Sequence, residues 1–198
     1  MDALRDDPSV ITSSDPSVIL AGRILVTLVF TVASIGKLRH WTEFTGVVAN
    51  YRLLPDALAA PAAWTVILLE TLVCLCLVTG WLGVVGTALA IALLTLFGVA
   101  ITINLARGRT EIDCGCFQSA LRQPLSPALL IRNSILILAL VPLLSSQVVP
   151  LLVANNPPST LQLMDGVAAG VVAFFLYQVF GQLLSIHTAG AWLRKRST

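Results

Sequence analysis

The amino-acid sequence predicts an all-α integral membrane protein, a polytopic bundle of about five transmembrane helices built as a four-helix core plus one. The first observation is composition: 57% of the residues are hydrophobic and 11% are charged, whereas a soluble domain carries about 25% charged residues. The second is that five apolar segments each approach the roughly 20 residues that a helix needs to cross a bilayer. The small net charge of +2, with basic residues scattered at the ends of apolar runs, argues against nucleic-acid binding.

The five predicted spans lie at 17–36, 60–80, 82–105, 126–146 and 162–186. The second and third follow each other almost directly, which predicts a tight antiparallel hairpin. Ser126 can cap the fourth span, and Pro127 suits its first turn. The stretch "NNPPST" before the fifth span is typical of a turn. Gly166 and Gly170 have the spacing at which membrane helices pack closely.

The segments outside the spans are too short for a separate soluble domain. Residues 1–16 form a polar tail that opens with acids and prolines, unlike a secretory signal. The connection 37–59 mixes aromatic with charged residues and suits a helix at the membrane interface. We therefore predict one transmembrane domain over 17–190, followed by a basic C-terminal tail at 191–198.

Basic residues divide unequally between the two ends of the predicted bundle. The end with the C-terminal tail carries nine of them, against Arg5 alone at the other end. These nine are Lys37, Arg39, Arg52, Arg107, Arg109, Arg122, Arg194, Lys195 and Arg196. The positive-inside rule therefore places this end and the C-terminus in the cytoplasm. Stable disulfides belong to the oxidising side instead, so the two arguments conflict over the loop between spans three and four.

That loop carries Cys114 and Cys116 on either side of Gly115. Glycine's backbone freedom would let the two sulfurs form a small, strained and easily reduced disulfide. Basic neighbours favour the reactive thiolate and acidic ones oppose it; in this loop they are Arg107, Arg109, Arg122, Glu111 and Asp113. We predict that Cys114 and Cys116 are the catalytic pair. The alternative is a pair of loop thiols that cap a turn.

A second Cys-x-Cys pair, Cys74 and Cys76, lies late in the second span. Residues two apart on a helix point about 200° away from each other, so these thiols bridge only if the helix unwinds. Cysteine is also a common small apolar core residue. The pair is therefore either structural or a second redox pair, and it starts at the opposite end of the bundle from Cys114. No metal site is predicted, because only His40 and His187 could join the cysteines as zinc ligands.

Several polar residues lie inside the predicted spans. Glu70 is deep in the second span, where a charge costs about 2.5–3.5 kcal/mol on insertion scales. It is therefore expected to make an interhelical hydrogen bond or to handle a proton. Arg132 lies early in the fourth span, on the side of the cysteine loop, where it would favour a thiolate, and Asn133 is expected to make a helix–helix contact. Arg23 and Asp165 share the opposite end and are placed to pair.

The sequence contains no Gly-rich phosphate loop, Ser-His-Asp set or paired-carboxylate pattern, which leaves thiol redox chemistry as the enzymatic option. Two stretches, "GKLRHWTEFTGVVANYRLLPDALAAPAAWTVILLETLV" and "INLARGRTEIDCGCFQSALRQPLSPALLIRNSILI", resemble the methylamine utilisation protein MauE family. These are small multi-pass membrane proteins related to DoxX-like proteins. The resemblance runs from about Gly36 to Leu138, and the "IDCGCF" block is its most specific part.

By position, the resemblance places the family's CGC pair on Cys114 and Cys116, with Arg107 and Asp113 in the surrounding signature. Glu70 falls on the family's second-span acid. Arg132 and Asn133 fall on its fourth-span polar pair. Gln118 stands where a glycine is common in the family, while Cys74 and Cys76 match no family hallmark.

The resemblance implies a role in maturing the disulfide-rich β subunit of methylamine dehydrogenase, which carries the tryptophan tryptophylquinone cofactor. It also implies a thioredoxin-like (MauD-like) partner and a place in the bacterial cytoplasmic membrane, surrounded by lipid. The leading hypothesis is a membrane thiol–disulfide oxidoreductase. One alternative is a non-catalytic scaffold or export chaperone for the same subunit. The other is a quinone-linked oxidoreductase similar to DsbB or the vitamin K epoxide reductases, although those use a CxxC pair.

Overall fold

A computed structural model describes residues 16–80, 82–110, 112, 114, 125–146 and 159–196, with side chains up to Leu144 in the fifth helix and Leu183 in the sixth. This part of the chain holds six α-helices and no strand. They are α1 (Pro16–Arg39), α2 (Trp41–Asn50), α3 (Ala59–Thr79), α4 (Gly83–Ala106), α5 (Pro127–Ser146) and α6 (Thr160–Arg196). A single 3-10 turn, Asp56–Leu58, leads into α3. The predicted N-terminal tail, apart from Pro16, lies outside the described residues.

Within the described residues, five segments are long and apolar enough to cross a membrane, which confirms the predicted fold class. They are Pro16–Arg39, Asp56–Thr79, Gly83–Ala106, Pro127–Leu144 and Thr160–Leu183. The remaining helix, α2, has 10 residues and is too short to span. The sixth helix continues past the predicted end of the fifth span to Arg196, through most of the predicted C-terminal tail.

Four helices form a closed ring, because α1 contacts α3 and α5, and α4 contacts the same two helices. The fifth spanning helix, α6, packs along α1, which is the four-helix core plus one that the sequence predicts. Val26 of α1, Val73 of α3 and Leu140 of α5 are fully buried at the centre of the ring. The outward-facing leucines are exposed, as expected for a surface in contact with lipid.

Small residues let α6 approach α1, as the glycine spacing predicts. A Cβ added at Gly166 would lie 3.0 Å from Leu20 Cβ, and one at Gly170 would lie 2.8 Å from Ile24 Cβ. Such contacts leave no room for a larger side chain. Close backbone approach is the usual means of association between membrane helices, since lipid tails are as apolar as the side chains.

The hairpin between α3 and α4 is as tight as predicted. Gly80 ends α3 in the left-handed conformation with φ of 71°, and its N–H donates to Cys76 O at 3.1 Å. Such a cap suits glycine because the absent Cβ removes the steric penalty. Leu82, with φ of 60°, then starts α4. Gly86 lies against α3, where an added Cβ would be 2.6 Å from Cys76 Cβ.

Arg23 does not pair with Asp165, contrary to the sequence-based expectation. Its guanidinium donates to the carbonyl oxygens of Leu77 and, at 3.4 Å, Val78. Both residues lie in the last turn of α3, whose terminal carbonyls lack helical partners and attract a cation. Among the residues that the structure describes, no ion pair joins Arg23 to the exposed Asp165.

Candidate functional site

Cys114 is the member of the predicted catalytic pair that the structure describes. It lies beyond the end of α4, is 6% exposed and packs with Ile101 of α4 and with Leu125 and Leu129 before and within α5. The sequence suggests a polar setting for this residue, but the neighbours in this cluster are apolar. Cys116 lies outside the described residues.

Tyr51, the residue after α2, reaches Cys114 from another part of the chain. Its hydroxyl donates to Cys114 O at 3.2 Å, and its ring packs against the same apolar cluster. The α2–α3 connection and the cysteine loop therefore meet at one end of the bundle, as the span order predicts. Sequence reasoning missed Tyr51, and the only signal for it is an aromatic side chain within the predicted interfacial segment.

Two arginines at the start of the loop donate hydrogen bonds to backbone carbonyls of the α2–α3 connection. Arg107 Nη1 donates to Arg52 O at 3.3 Å, and Arg109 Nη1 donates to Tyr51 O at 3.5 Å and to Asn104 Oδ1 at 3.4 Å. Arg52 adopts a φ of 47°, which is uncommon outside glycine. These hydrogen bonds hold that turn against the end of α4. An effect of Arg107 on the thiols stays a prediction, and Asp113 lies outside the described residues.

The two flanks of the cysteine loop also meet. Leu125 N donates to Ile112 O at 3.1 Å. This backbone hydrogen bond joins the two sides of the connection between α4 and α5, with Cys114 between them in sequence. Leu125 is 3% exposed. The loop is therefore anchored at its base and, through Cys114, to Tyr51.

Glu70 has a buried partner inside the bundle. Lys37 of α1 forms an ion pair with Glu70 Oε1, and both side chains are 2% exposed. Ser34 Oγ donates to the other carboxylate oxygen at 3.4 Å. The ammonium also lies 5.2 Å from the ring centre of Phe44 and 5.0 Å from that of Phe97, within the range of cation–π attraction.

Sequence reasoning missed the role of Lys37 because a lysine near the end of a span is typical of a charge that flanks the membrane. Extension of α1 to Arg39 puts Lys37 on the same helix face as Ser34, three residues earlier. That spacing is the signal that could have identified it. Because Lys37 is buried and paired, it no longer counts among the membrane-flanking basic residues to which the positive-inside rule applies.

A cavity of about 30 Å³ opens beside the ion pair, with residues from all five spanning helices in its wall. Its polar lining residues are Lys37, Glu70, Arg132, Asn133 and Tyr177. The Arg132 guanidinium lies 5.5 Å from the Tyr177 ring centre. Asn133 Nδ2 donates to Leu94 O of α4 at 3.5 Å, which is the helix–helix contact expected of this residue. The structure thus brings Glu70, Arg132 and Asn133 together.

Cys74 and Cys76 are free thiols on an unbroken helix. Thr31 Oγ1 of α1 donates to Cys74 Sγ at 3.5 Å, whereas Cys76 packs against Gly86 of α4. The two side chains therefore face different helices, as helical geometry predicts. Each has a packing role in this arrangement, and a redox role for the pair stays a prediction.

Comparison with known proteins agrees with these features. The family model described as methylamine utilisation protein MauE matches residues 15–146. A protein named methylamine utilization protein MauE from Paracoccus denitrificans is 39% identical over 184 residues, covering 91% of this chain and 96% of its own. A protein of the same name from Paracoccus versutus is 36% identical over 185 residues, covering 92% of this chain and 97% of its own. Another, from Methylophilus methylotrophus, is 47% identical over 103 residues, covering 52% of this chain and 54% of its own.

No solved structure matches the chain. The matched region of the family model extends from just before α1 to the end of α5. It therefore includes the four-helix ring, the cysteine loop and the Lys37–Glu70 pair. The chain belongs to the methylamine utilisation protein MauE family.

Proposed function

We propose that this chain serves methylamine utilisation as a membrane thiol–disulfide oxidoreductase. In this proposal it assists disulfide formation and processing in the β subunit of methylamine dehydrogenase, together with a thioredoxin-like partner. The link to methylamine utilisation rests on membership of the family. The observation that supports the thiol chemistry is the anchoring of Cys114, whose carbonyl oxygen accepts a hydrogen bond from the Tyr51 hydroxyl.

The exchange needs four sulfur atoms. A thiolate of the reduced partner attacks the disulfide of the Cys114/Cys116 pair, so one S–S bond breaks and a mixed disulfide forms. The partner's second thiolate then attacks the partner's sulfur in the mixed disulfide, so the S–S bond between the two proteins breaks and a disulfide forms within the partner. The partner leaves oxidised, and Cys114 and Cys116 hold the two electrons as a dithiol. The reverse exchange runs through the same intermediate and reduces the partner.

Anchoring supports this chemistry because an exchange reaction needs its sulfur held in one place while the attacking thiolate approaches in line. The hydrogen bond from Leu125 holds Ile112, and the Tyr51 hydroxyl holds the backbone of Cys114. Arg107 donates to the carbonyl oxygen of Arg52, and Arg109 donates to that of Tyr51. In this proposal these residues are positioning residues.

Serine variants test the proposal. Cys114→Ser and Cys116→Ser should each abolish the disulfide maturation of the β subunit, read as its oxidised fraction on non-reducing gels. Cys74→Ser is the matched control, since it changes a cysteine outside the loop, and it should leave maturation intact. Full maturation with both loop variants would reject the redox role and leave the scaffold or export chaperone as the explanation.

The proposal also places the protein as a multi-pass component of the bacterial cytoplasmic membrane with its C-terminus in the cytoplasm. Without Lys37, eight basic residues still mark the end that holds the cysteine loop and the C-terminal tail, against Arg5 at the other. Labelling of reduced Cys114 with a membrane-impermeant maleimide, added from each side in turn, tests this orientation. Labelling from the periplasmic side alone would reverse it.

A further inference from the structure

The ion pair between Lys37 and Glu70 is the strongest feature that thiol exchange at Cys114 does not use. Both side chains are 2% exposed inside the helix bundle. An ion pair is not needed to fill this space, since apolar residues of similar volume are often as stabilising or more so. Ionisable residues inside a membrane therefore indicate a functional site, and proton handling is a common one.

The cavity beside the pair is large enough to hold water. A water molecule needs roughly 10–15 Å³ of such volume and two to four polar partners. The cavity measures about 30 Å³, and its wall combines six apolar residues with five polar ones, Lys37, Glu70, Arg132, Asn133 and Tyr177. One or two water molecules therefore fit next to the carboxylate. Water in this position can carry protons to and from the pair.

We propose that Lys37 and Glu70 form an intramembrane proton-binding site that exchanges protons with water in this cavity. A proton moves from Lys37 Nζ to Glu70 Oε1, so an N–H bond breaks and an O–H bond forms. The ammonium–carboxylate pair thereby becomes an amine and a carboxylic acid. No electrons move and the net charge is unchanged. Burial has removed both charges from bulk water, which lets the neutral form compete with the ionic one.

The surroundings of the pair come from every element packed against it. Ser34 of α1 donates to the second oxygen of Glu70. On the other helices, the titratable or charged groups that face the site are Arg132 of α5 and Tyr177 of α6, and Cys74 lies one turn from Glu70 on α3. The α2 and α4 helices present the aromatic rings of Phe44 and Phe97. The proposal does not rest on thiol exchange at Cys114.

Infrared spectroscopy of the full chain in lipid membranes tests the proposal. The wild type should show the carbonyl stretching band of a protonated carboxyl group, and the band should shift in D₂O because cavity water exchanges. Glu70→Gln should lack this band. Asp165→Asn is the matched control, since Asp165 is the acid in another span, and it should keep the band. A wild type with no such band, or with a band that D₂O leaves unshifted, would overturn the proposal.

A chemical measurement on the wild type decides the question if the glutamine variant does not fold. Dicyclohexylcarbodiimide enters membranes and reacts with protonated carboxyl groups. Mass spectrometry of the treated protein should locate an adduct on Glu70. Absence of this adduct would mean that the pair is permanently ionic, and the proton-binding site would be rejected.

Discussion

The hydroxyl of Tyr51 donates a hydrogen bond to the carbonyl oxygen of Cys114 at 3.2 Å, across 63 residues of sequence. The carbonyl of the same tyrosine accepts a hydrogen bond from Arg109. Tyr51 thus connects the end of α2 to the end of α4 and to the cysteine loop. The position of Cys114 depends on the α2–α3 connection as well as on the helices that flank the loop.

Replacement of Tyr51 by phenylalanine should loosen Cys114. The variant loses one hydrogen bond, worth about 1 kcal/mol, which corresponds to a roughly five-fold change in an equilibrium. Cys114 is 6% exposed, so its reaction with a maleimide in the reduced protein requires local opening. We expect labelling of Cys114 to become several-fold faster, as measured by mass spectrometry over time. Tyr177→Phe is the control, because Tyr177 lines the buried cavity; equal rates in the wild type and Tyr51→Phe would contradict the account.

The sequence predicts most of the fold because apolar runs of spanning length have few alternatives in a membrane. The tight α3–α4 hairpin and the packing of Gly166 and Gly170 follow from local residue types. The pairing of Arg23 does not follow, since its choice between Asp165 and the last carbonyls of α3 depends on helix rotation and tilt. Periodicity in an apolar helix leaves both of these open.

The site is only partly predictable for the same reason. Glu70, Arg132 and Asn133 stand out in the sequence because polar residues are costly inside a membrane. Lys37 and Tyr51 do not, because lysine at a span end and tyrosine in a connection are ordinary features of membrane proteins. Their roles emerge only when α1 meets α3 and when the α2–α3 connection meets the cysteine loop.

Loss of Lys37 should be more harmful than loss of the whole ion pair. Lys37→Met leaves the Glu70 carboxylate buried without its partner, which should destabilise the protein by about 3–5 kcal/mol. The double variant Lys37→Met/Glu70→Leu removes both charges and should recover most of that loss. Thermal unfolding of the two variants and the wild type in the same detergent measures the difference. A single variant as stable as the double variant would show that the pair is not energetically coupled.

Two glycines of α4 should respond oppositely to alanine. At Gly86 the new Cβ would lie 2.6 Å from Cys76 Cβ, so the α3–α4 contact must separate, at a cost of about 1–3 kcal/mol. At Gly98 an added Cβ meets nothing within 4 Å, so Gly98→Ala should be neutral or stabilising by up to about 1 kcal/mol. Unfolding midpoints in detergent compare the two. Equal destabilisation at both positions would contradict the packing of this hairpin.

The thiols of α3 should be dispensable for maturation. Cys74 and Cys76 face different helices on an unbroken helix, so they cannot form a disulfide with each other without unwinding α3. We expect the Cys74→Ser/Cys76→Ala double variant to mature the β subunit at the wild-type level, as measured by the oxidised fraction of that subunit. A loss comparable to that of Cys114→Ser would instead identify a second working pair.

The most direct test of the central claim is to trap the covalent intermediate at Cys114. In Cys116→Ser the Cys114 thiolate can attack the disulfide of the oxidised thioredoxin-like partner, as in the reverse exchange, which breaks the partner's S–S bond and forms a mixed disulfide. No Cys116 thiol is present to attack that bond, so the mixed disulfide between Cys114 and the partner should accumulate. The measurement is a non-reducing gel of acid-quenched, alkylated membranes, with the adduct identified by mass spectrometry. We expect a reducible adduct that requires Cys114 and is absent from the Cys114→Ser/Cys116→Ser double variant. No adduct, together with an unchanged redox state of Cys114 in the wild type during maturation, would contradict the central claim.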